Sequence, residues 1–446
     1  MAISWVVLRH AVPFRRISRR CIFSNSISTH SRKTQIDQPL YISPVDAEPL
    51  HRYRQGGYHP VTLGEYLKSG RYKVLHKLGW GGYSTVWAAR DQREDIYVAV
   101  KISIAEMDNC GETRELQTLK KLASHHPPLK HTVHMLDTFD LNGPNGSHNC
   151  LVYELLGPNI PDTIDTHFPQ GRLPRKLAKI IAKQSLLGLD GLHQQNIIHG
   201  GRSLSLEHFE TFSYNIDLHT RNLAFTIPCI DNVTEEQFTE MLGKPDIGYV
   251  RRTDGTDLEP GIPEYIVRPS SHRTHSWKFS QSIKIIDFGE SFVQTTIPQT
   301  LHTPLTVQAP EVIFQDHIDY RVDLWSMGCM VRQLFELFVG QPPFDSFLIT
   351  PTILVGQMQE IASDDLPERW HAIRETMKGD NDEPPDTTAP NLQQWLEELY
   401  FDAPQSPDLT REDVARLGQI IGSLLLFEPS ARASAKQVLE DPWFDE

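Results

Sequence analysis

The hydrophobic periodicity of this chain changes character once, and that change limits the architectures open to it. Up to about Leu156 the apolar residues mostly alternate. RYKVLHKLG (71–79) and STVWAARD (84–91) read as the two strands of a hairpin, YVAVKISI (97–104) as a third strand, and CLVYELL (150–156) as a buried strand leading into a connector. One helix interrupts them: GETRELQTLKKLAS places Leu116, Leu119 and Leu122 on one face. Beyond the connector the spacing is helical. RKLAKIIAKQSLLGLDGLHQQ (175–195) is a long amphipathic helix, and DLWSMGCMVRQLFELFVG (323–340) is apolar nearly all round, as a central buried helix would be. Strands first and helices later imply a small β-rich lobe followed by a larger α-helical one, an α+β architecture. The interval 226–282 is rich in Pro, Gly and charge and reads as a surface insertion holding one short helix, EEQFTEML, before SIKIIDFG returns as a strand. Pro39 to Pro60 reads as an irregular lead-in, Gly379 to Asn391 as a loop, and the chain ends in two further helical stretches.

On this frame lies an ordered set of chemistry-bearing residues. LGWGGYSTVW supplies Gly79, Gly81 and Gly82, which let backbone come close to phosphates where a Cβ would collide, with Ser84 in the third position of the pattern. Alone, such a stretch is equally a flexible hairpin. It is followed by Lys101 in VAVK, by Glu115 on a helix from which it can pair with that lysine, by Asp287-Phe288-Gly289, and by Ala309-Pro310-Glu311. Taken singly, Lys101 and Glu115 are ordinary surface charges; the order is what carries the signal. In a reaction made mostly of positioning and charge neutralisation, Lys101 holds nucleotide phosphates and Glu115 holds Lys101. Val86 and Ala99 pack on the adenine, a role compatible with being core residues. By position, Tyr153 to Leu156 form a hinge whose backbone, at Glu154 and Leu156, reads the adenine edge.

The catalytic stretch itself is broken. Asp217 is followed five positions later by Asn222, the spacing of a general base and a metal-holding amide, and Asn222 with Asp287 offers the hard oxygen ligands that suit Mg²⁺. Yet IIHG (197–200) is separated from DLHTRNLAF (217–225) by GRSLSLEHFETFSYNI, the sixteen residues Gly201 to Ile216. Deleting them gives IIHGDLHTRNLAF, an uninterrupted loop. One explanation is a retained intron: Gly201-Arg202 can be encoded GGTAGG and Ile216-Asp217 ATAGAC, so excision from GT through AG rejoins G and AC as an Asp codon. The other is a real insertion that bulges outward, leaving Asp217 and Asn222 in place, displacing His199 and severely impairing turnover.

From about Tyr53 to Phe444 the chain resembles eukaryotic serine/threonine protein kinases of the SR-protein kinase type in their fungal form. The resemblance rests on YRQGGYHPVTLGEYLKSGRYKVLHKLGWGGYSTVWAARD, the insertion before IIDFGESF, APEVIF, VDLWSMGC, GQPPFD and EPSARASAKQVLEDPWF. It implies a two-lobed kinase fold: a basic N-terminal segment over 1–46, a small lobe with its lead-in over 47–155 and a large lobe over 156–446. It also implies ATP and Mg²⁺ as cofactors, Asp217 as the base, and a protein substrate rich in Arg and Ser, such as a splicing factor. Glu311 is expected to pair with Arg432, and Asp323 to brace the catalytic loop from beneath. Two departures stand out. His219 replaces a lysine two residues after the catalytic Asp, which predicts slower transfer. Gly200 takes the place of the arginine that meets an activation-loop phosphate. The interruption also leaves open a pseudokinase that binds nucleotide as a scaffold. The loop spelling HGDLHxxN is similar to small-molecule phosphotransferases as well.

Composition sets the remaining bounds. The net charge of −14 disfavours direct nucleic-acid binding and suits a basic peptide. Cys21, Cys110, Cys150, Cys229 and Cys329 lack the spacing of a metal site, which fits packing residues in a reducing compartment. No apolar run has the length of a membrane span, and a monomer is expected. Residues 1–35 carry Arg9, Arg15, Arg16, Arg19, Arg20 and Arg32 and no acid, the composition of a mitochondrial transit peptide or of a disordered basic tail, whereas the family resemblance places the protein in cytoplasm and nucleus. With Gly200 in the arginine's place and only a short segment from Gly289 to Ala309 to switch, activity should not require activation-loop phosphorylation. Replacing Thr295, Thr296 or Thr300 by Glu is expected to leave the rate of phosphoryl transfer unchanged, and a several-fold increase would contradict this.

Overall fold

A six-stranded antiparallel sheet realises the alternating half of the sequence. The computed structural model describes residues 39–105, 112–169, 171–201, 220–228, 230, 232–270, 280–298, 301, 303, 305, 308–329, 349–377, 391–402 and 407–445, and Leu40–Glu446 forms one compact unit. The transit-like segment, Arg202 to His219 (including Asp217), Cys21, Cys110, Cys229, Thr300, residues 330–348 and the loop over 378–390 lie outside the described residues.

Strand β1 (Tyr41–Ile42) stands apart from this sheet, which runs β2 (Tyr66–Leu67), β3 (Tyr72–Gly81), β4 (Ser84–Asp91) and β5 (Ile96–Ser103), then β7 (Gly146–Glu154), with β6 (Met135–Gly143) at the far edge. Side chains on one face, among them Tyr72, Val74, Trp87, Val98, Val100, Cys150 and Val152, form a closed apolar cluster. There burial pushes the Cys150 thiol up to about 12, so it is a packing group and not a nucleophile. Helix α1 (Arg114–Ala123) starts at Thr113, whose hydroxyl accepts the Leu116 N–H, and buries Leu116, Leu119 and Leu122 as the spacing predicts.

The second half is built around a long helix. After β8 (Leu156–Asn159) and α2 (Ile160–His167), α3 (Arg175–Gln194) buries Ile181, Leu186, Leu189 and Leu192, each worth about 2 kcal/mol of transfer free energy. It approaches its neighbours so closely that a Cβ on Gly188 would meet the His131 carbonyl oxygen at 2.9 Å. Then come β9 (Ile197–Ile198) and β10 (Leu223–Thr226). The helix over 321–329 buries Leu324, Trp325, Met327 and Cys329, in keeping with a central apolar helix. Helices Leu392–Phe401, Arg411–Leu424 and Ala435–Leu439 close the lobe, one more than the two stretches expected. The Arg432 guanidinium donates to both Glu311 oxygens at 2.6 and 2.7 Å, fully buried, as the resemblance implied.

The described residues of the insertion over 226–282 hold more regular structure than their composition suggests. The expected helix is present as α4 (Glu235–Leu242), closed by a Thr234/Gln237 capping box, and Phe238 stacks on Tyr97 at 3.9 Å. Three short strands were not anticipated: β11 (Ile247–Tyr249), β12 (Arg251–Arg252) and β13 (Tyr265–Val267). Strand β11 pairs with β13, while β12 pairs with β1 of the lead-in. Val250 and Ile266 pack with Tyr53 and Tyr58, so lead-in and insertion share one apolar cluster. The polar composition hid this because each strand is only two or three residues long and β12 draws its partner from a segment far away in sequence. Strands β14 (Ile283–Ile285) and β15 (Phe292–Val293) pair with β10 and β9 and complete the fold.

Breaking the buried Glu311–Arg432 pair leaves an uncompensated charge in the core. Arg432→Ala is expected to cost about 3–5 kcal/mol in urea unfolding, and a cost below about 1 kcal/mol, typical of an exposed pair, would contradict that.

Candidate functional site

Three sequence-distant charges meet at one point. Lys101, on β5 opposite Val86 and Leu151, places its ammonium 2.5 Å from Glu115 Oε1 on α1 and 3.5 Å from Asp287 Oδ1, just beyond β14. Lys101 is buried and Glu115 largely covered, whereas the Asp287 carboxylate is more open. The Tyr153 hydroxyl donates to the same Glu115 oxygen at 3.2 Å, a contact no sequence signal announced. Asp287 adopts φ +60°, uncommon for a residue with a Cβ, and its carboxylate accepts the Gly289 N–H at 3.4 Å.

Asn222 is brought alongside by the sheet. Its carbonyl accepts the Ile286 N–H at 2.8 Å, continuing the β10–β14 ladder by one rung and setting Asn222 beside the residue that precedes Asp287. A side-chain amide and a carboxylate on these neighbouring positions are the hard oxygen donor types that would suit Mg²⁺ once phosphate oxygens complete the shell. Among the described residues no cluster of three His, Cys, Asp or Glu side chains could hold a metal without them.

The glycine-rich hairpin tip closes with Gly81 opposite Ser84. A Cβ on Gly79 would meet no protein atom within 4 Å, so internal packing does not demand this glycine; it leaves space. Within the otherwise buried β4, Val86 is the residue that stays half-buried, and Ala99 is the half-buried residue in the interior of β5. The wall therefore opens at the two positions assigned to the adenine. Glu154 turns its carboxylate away, to Lys284 Nζ at 2.5 Å and the His134 N–H at 2.8 Å, so only its backbone can serve a hinge. Leu156 is half-buried and pairs with Thr226.

The His199 ring contacts the Ile286 carbonyl at 3.1 Å and meets Phe288 edge-on at 5.2 Å. The expectation that an insertion displaces His199 is therefore corrected: β9–β15 pairing and the Asp323 carboxylate hold it. Asp323 accepts the His199 and Gly200 N–H groups, each at 2.8 Å, and lies 3.0 Å from His193 Nε2, bracing the loop as implied. The two flanks of the interruption are thus both fastened to Ile286, Asn222 to its N–H and His199 to its carbonyl. Gly200 has φ +75°, its carbonyl accepts the Thr303 hydroxyl at 2.9 Å, and a Cβ there would fall 2.7 Å from the Glu290 carbonyl oxygen. No side chain fits where an arginine was expected from the resemblance.

A protein kinase domain model matches residues 72–200 and 275–444, stopping at Gly200 and resuming ahead of Asp287. The chain is 41% identical to protein kinase dsk1 of Schizosaccharomyces pombe, over 96% of this chain and 91% of that one. It is 29% identical to the serine/threonine-protein kinase SRPK of Physarum polycephalum, over 89% and 91%. It is 40% identical to SRSF protein kinase 3 of Homo sapiens over 33% of this chain and 26% of the relative.

The backbone at Gly200 combines a left-handed conformation with a blocked Cβ position. Gly200→Ala is expected to destabilise by about 2 kcal/mol or more in urea unfolding, and a variant as stable as the parent would refute the assignment.

Proposed function

The chain belongs to the protein kinase family, as an SR-protein-kinase-like serine/threonine kinase, and on that basis we propose how its residues divide the reaction. The observation that carries the proposal is Lys101 held between Glu115 and Asp287. Lys101 binds the α- and β-phosphates of ATP, and Glu115, steadied by Tyr153, keeps the ammonium aimed. Gly79, Gly81, Gly82 and Ser84 admit the phosphates under the hairpin; Val86 and Ala99 receive the adenine; the backbone at Glu154 and Leu156 reads its edge. Asp287 and Asn222 would hold Mg²⁺, which when bound supplies charge neutralisation to the transferring phosphoryl group. Asp217 takes the proton of the acceptor hydroxyl, a role assigned from its spacing to Asn222.

For the acceptor we propose a serine in an Arg/Ser-rich protein. The net charge of −14 favours a cationic partner, and one human relative carries SRSF in its name. No helix among the described residues is long and apolar enough to cross a membrane.

Because His199, ahead of the Gly201–Ile216 interruption, and Asn222, after it, both bond Ile286, removing those sixteen residues shortens the stretch between two residues already held together. Assayed with Mg·ATP and an Arg/Ser peptide, deletion of Gly201–Ile216 is expected to raise kcat by about 100-fold, the scale on which catalytic geometry disturbed by about an ångström costs rate, without lowering the melting temperature. Asp217→Asn in the shortened chain is expected to abolish transfer. Equal rates before and after deletion would show that the interruption leaves the catalytic groups undisturbed, and full activity of the Asp217→Asn variant would remove Asp217 from the mechanism.

A further inference from the structure

We propose that Tyr58 is a positioning residue that fixes the peptide plane of the glycine-rich hairpin tip, so that this backbone meets nucleotide phosphate already oriented. This deepens the phosphate-binding role given above to Gly81 and Gly82 and rests on it.

Tyr58 belongs to the lead-in, far in sequence from the hairpin, and is 1% exposed. Its hydroxyl donates to the Gly81 carbonyl at 2.8 Å. The peptide bond is planar and trans, so a fixed Gly81 carbonyl turns the Gly82 N–H to the side opposite Tyr58. Between two glycines, with no Cβ on either side, a peptide unit can rotate at little steric cost. The hydroxyl opposes that rotation, and the far side of the tip is held too, since the Tyr83 carbonyl accepts the Ile104 N–H at 2.9 Å.

The phenol is itself held from several sides. The Tyr58 N–H donates to the Arg52 carbonyl at 3.0 Å, and its carbonyl accepts Asn145 Nδ2 at 2.7 Å. Asn145, 2% exposed, also donates to the Gly261 carbonyl at 2.9 Å, and its own carbonyl accepts the Gly56 N–H at 3.0 Å. Gly57, just before Tyr58, accepts the Ala105 N–H at 3.0 Å, and a Cβ on it would fall 1.9 Å from the Arg52 carbonyl oxygen. Tyr53 meets the Tyr58 ring edge-on at 5.6 Å, and the Arg52 guanidinium lies 5.2 Å from its centroid. Lead-in, β6–β7 turn and insertion thus converge on Tyr58, and one hydroxyl passes that order to the tip.

The test compares two hydroxyl deletions in the full chain. Tyr58→Phe removes the contact with Gly81; Tyr53→Phe removes another buried tyrosine's hydroxyl, one that donates to Glu48 instead of the hairpin. By calorimetry, Tyr58→Phe is expected to raise the Kd for Mg·ADP about fivefold, the effect of one hydrogen bond of ordinary net strength. In the nucleotide-free protein, hydrogen exchange of the Gly81–Ser84 amides should quicken. Tyr53→Phe should lower the melting temperature and leave both readouts unchanged. An unchanged Kd in Tyr58→Phe, or equal weakening by both variants, would overturn the positioning role. A parent chain that binds no Mg·ADP would instead overturn the phosphate-binding reading beneath it.

Discussion

The ammonium of Lys101 between two carboxylates is the contact on which the architecture turns. It joins β5, α1 and the second residue beyond β14, positions separated by up to 186 in the chain, from 101 to 287. A lysine this buried requires compensation, and the helix, through Glu115, and the second lobe, through Asp287, each bring part of it. The same three charges leave one carboxylate more open than the other, which is where a cation between protein and phosphate can be accommodated. On the proposed reading, folding and function draw on one electrostatic arrangement: what joins the lobes is also what would receive the nucleotide.

Ile286 does for the broken loop what Lys101 does for the cleft. Its amide captures one flank of the interruption and its carbonyl the other. This explains why His199 keeps its place on Phe288 despite the residues that follow it, and why Asp323 can collect two consecutive backbone amides there. Gly200 belongs to the same arrangement. With its Cβ position blocked by Glu290, the turn leaves no space for the phosphate-sensing arginine of other kinases, and a threonine hydroxyl binds its carbonyl instead.

Much of this was legible in the sequence because it depends on local period or on ordered motifs. Alternation gave β3, β4, β5 and β7 of the small lobe but not the edge strand β6, in which no residue is fully buried; the leucine spacing gave α1, and the order Gly79, Lys101, Glu115, Asp287 gave a site whose charges do converge. Apart from the exposed edge strand β6, what escaped was long-range and short-stranded. Strands β1 and β12 are two residues each and could not announce their pairing; Tyr53 and Tyr58 looked like part of an irregular lead-in; the Tyr153 hydroxyl was hidden in a hinge assignment that concerned only backbone. The displacement expected of His199 failed for a related reason: β9–β15 pairing and a buried carboxylate 124 positions away decide where that residue sits.

The lead-in also determines where a foldable fragment can begin. The Lys77 side chain is wholly buried against Glu48, which the Tyr53 hydroxyl also touches, while the match to the kinase domain starts only at Tyr72. A protein cut to that boundary strands an ammonium inside the small lobe with its counter-ion amputated, and exposes the apolar faces of Val250 and Ile266. The autonomous unit therefore starts about thirty residues ahead of the matched domain, near Leu40, where the first strand finds its partner in the insertion.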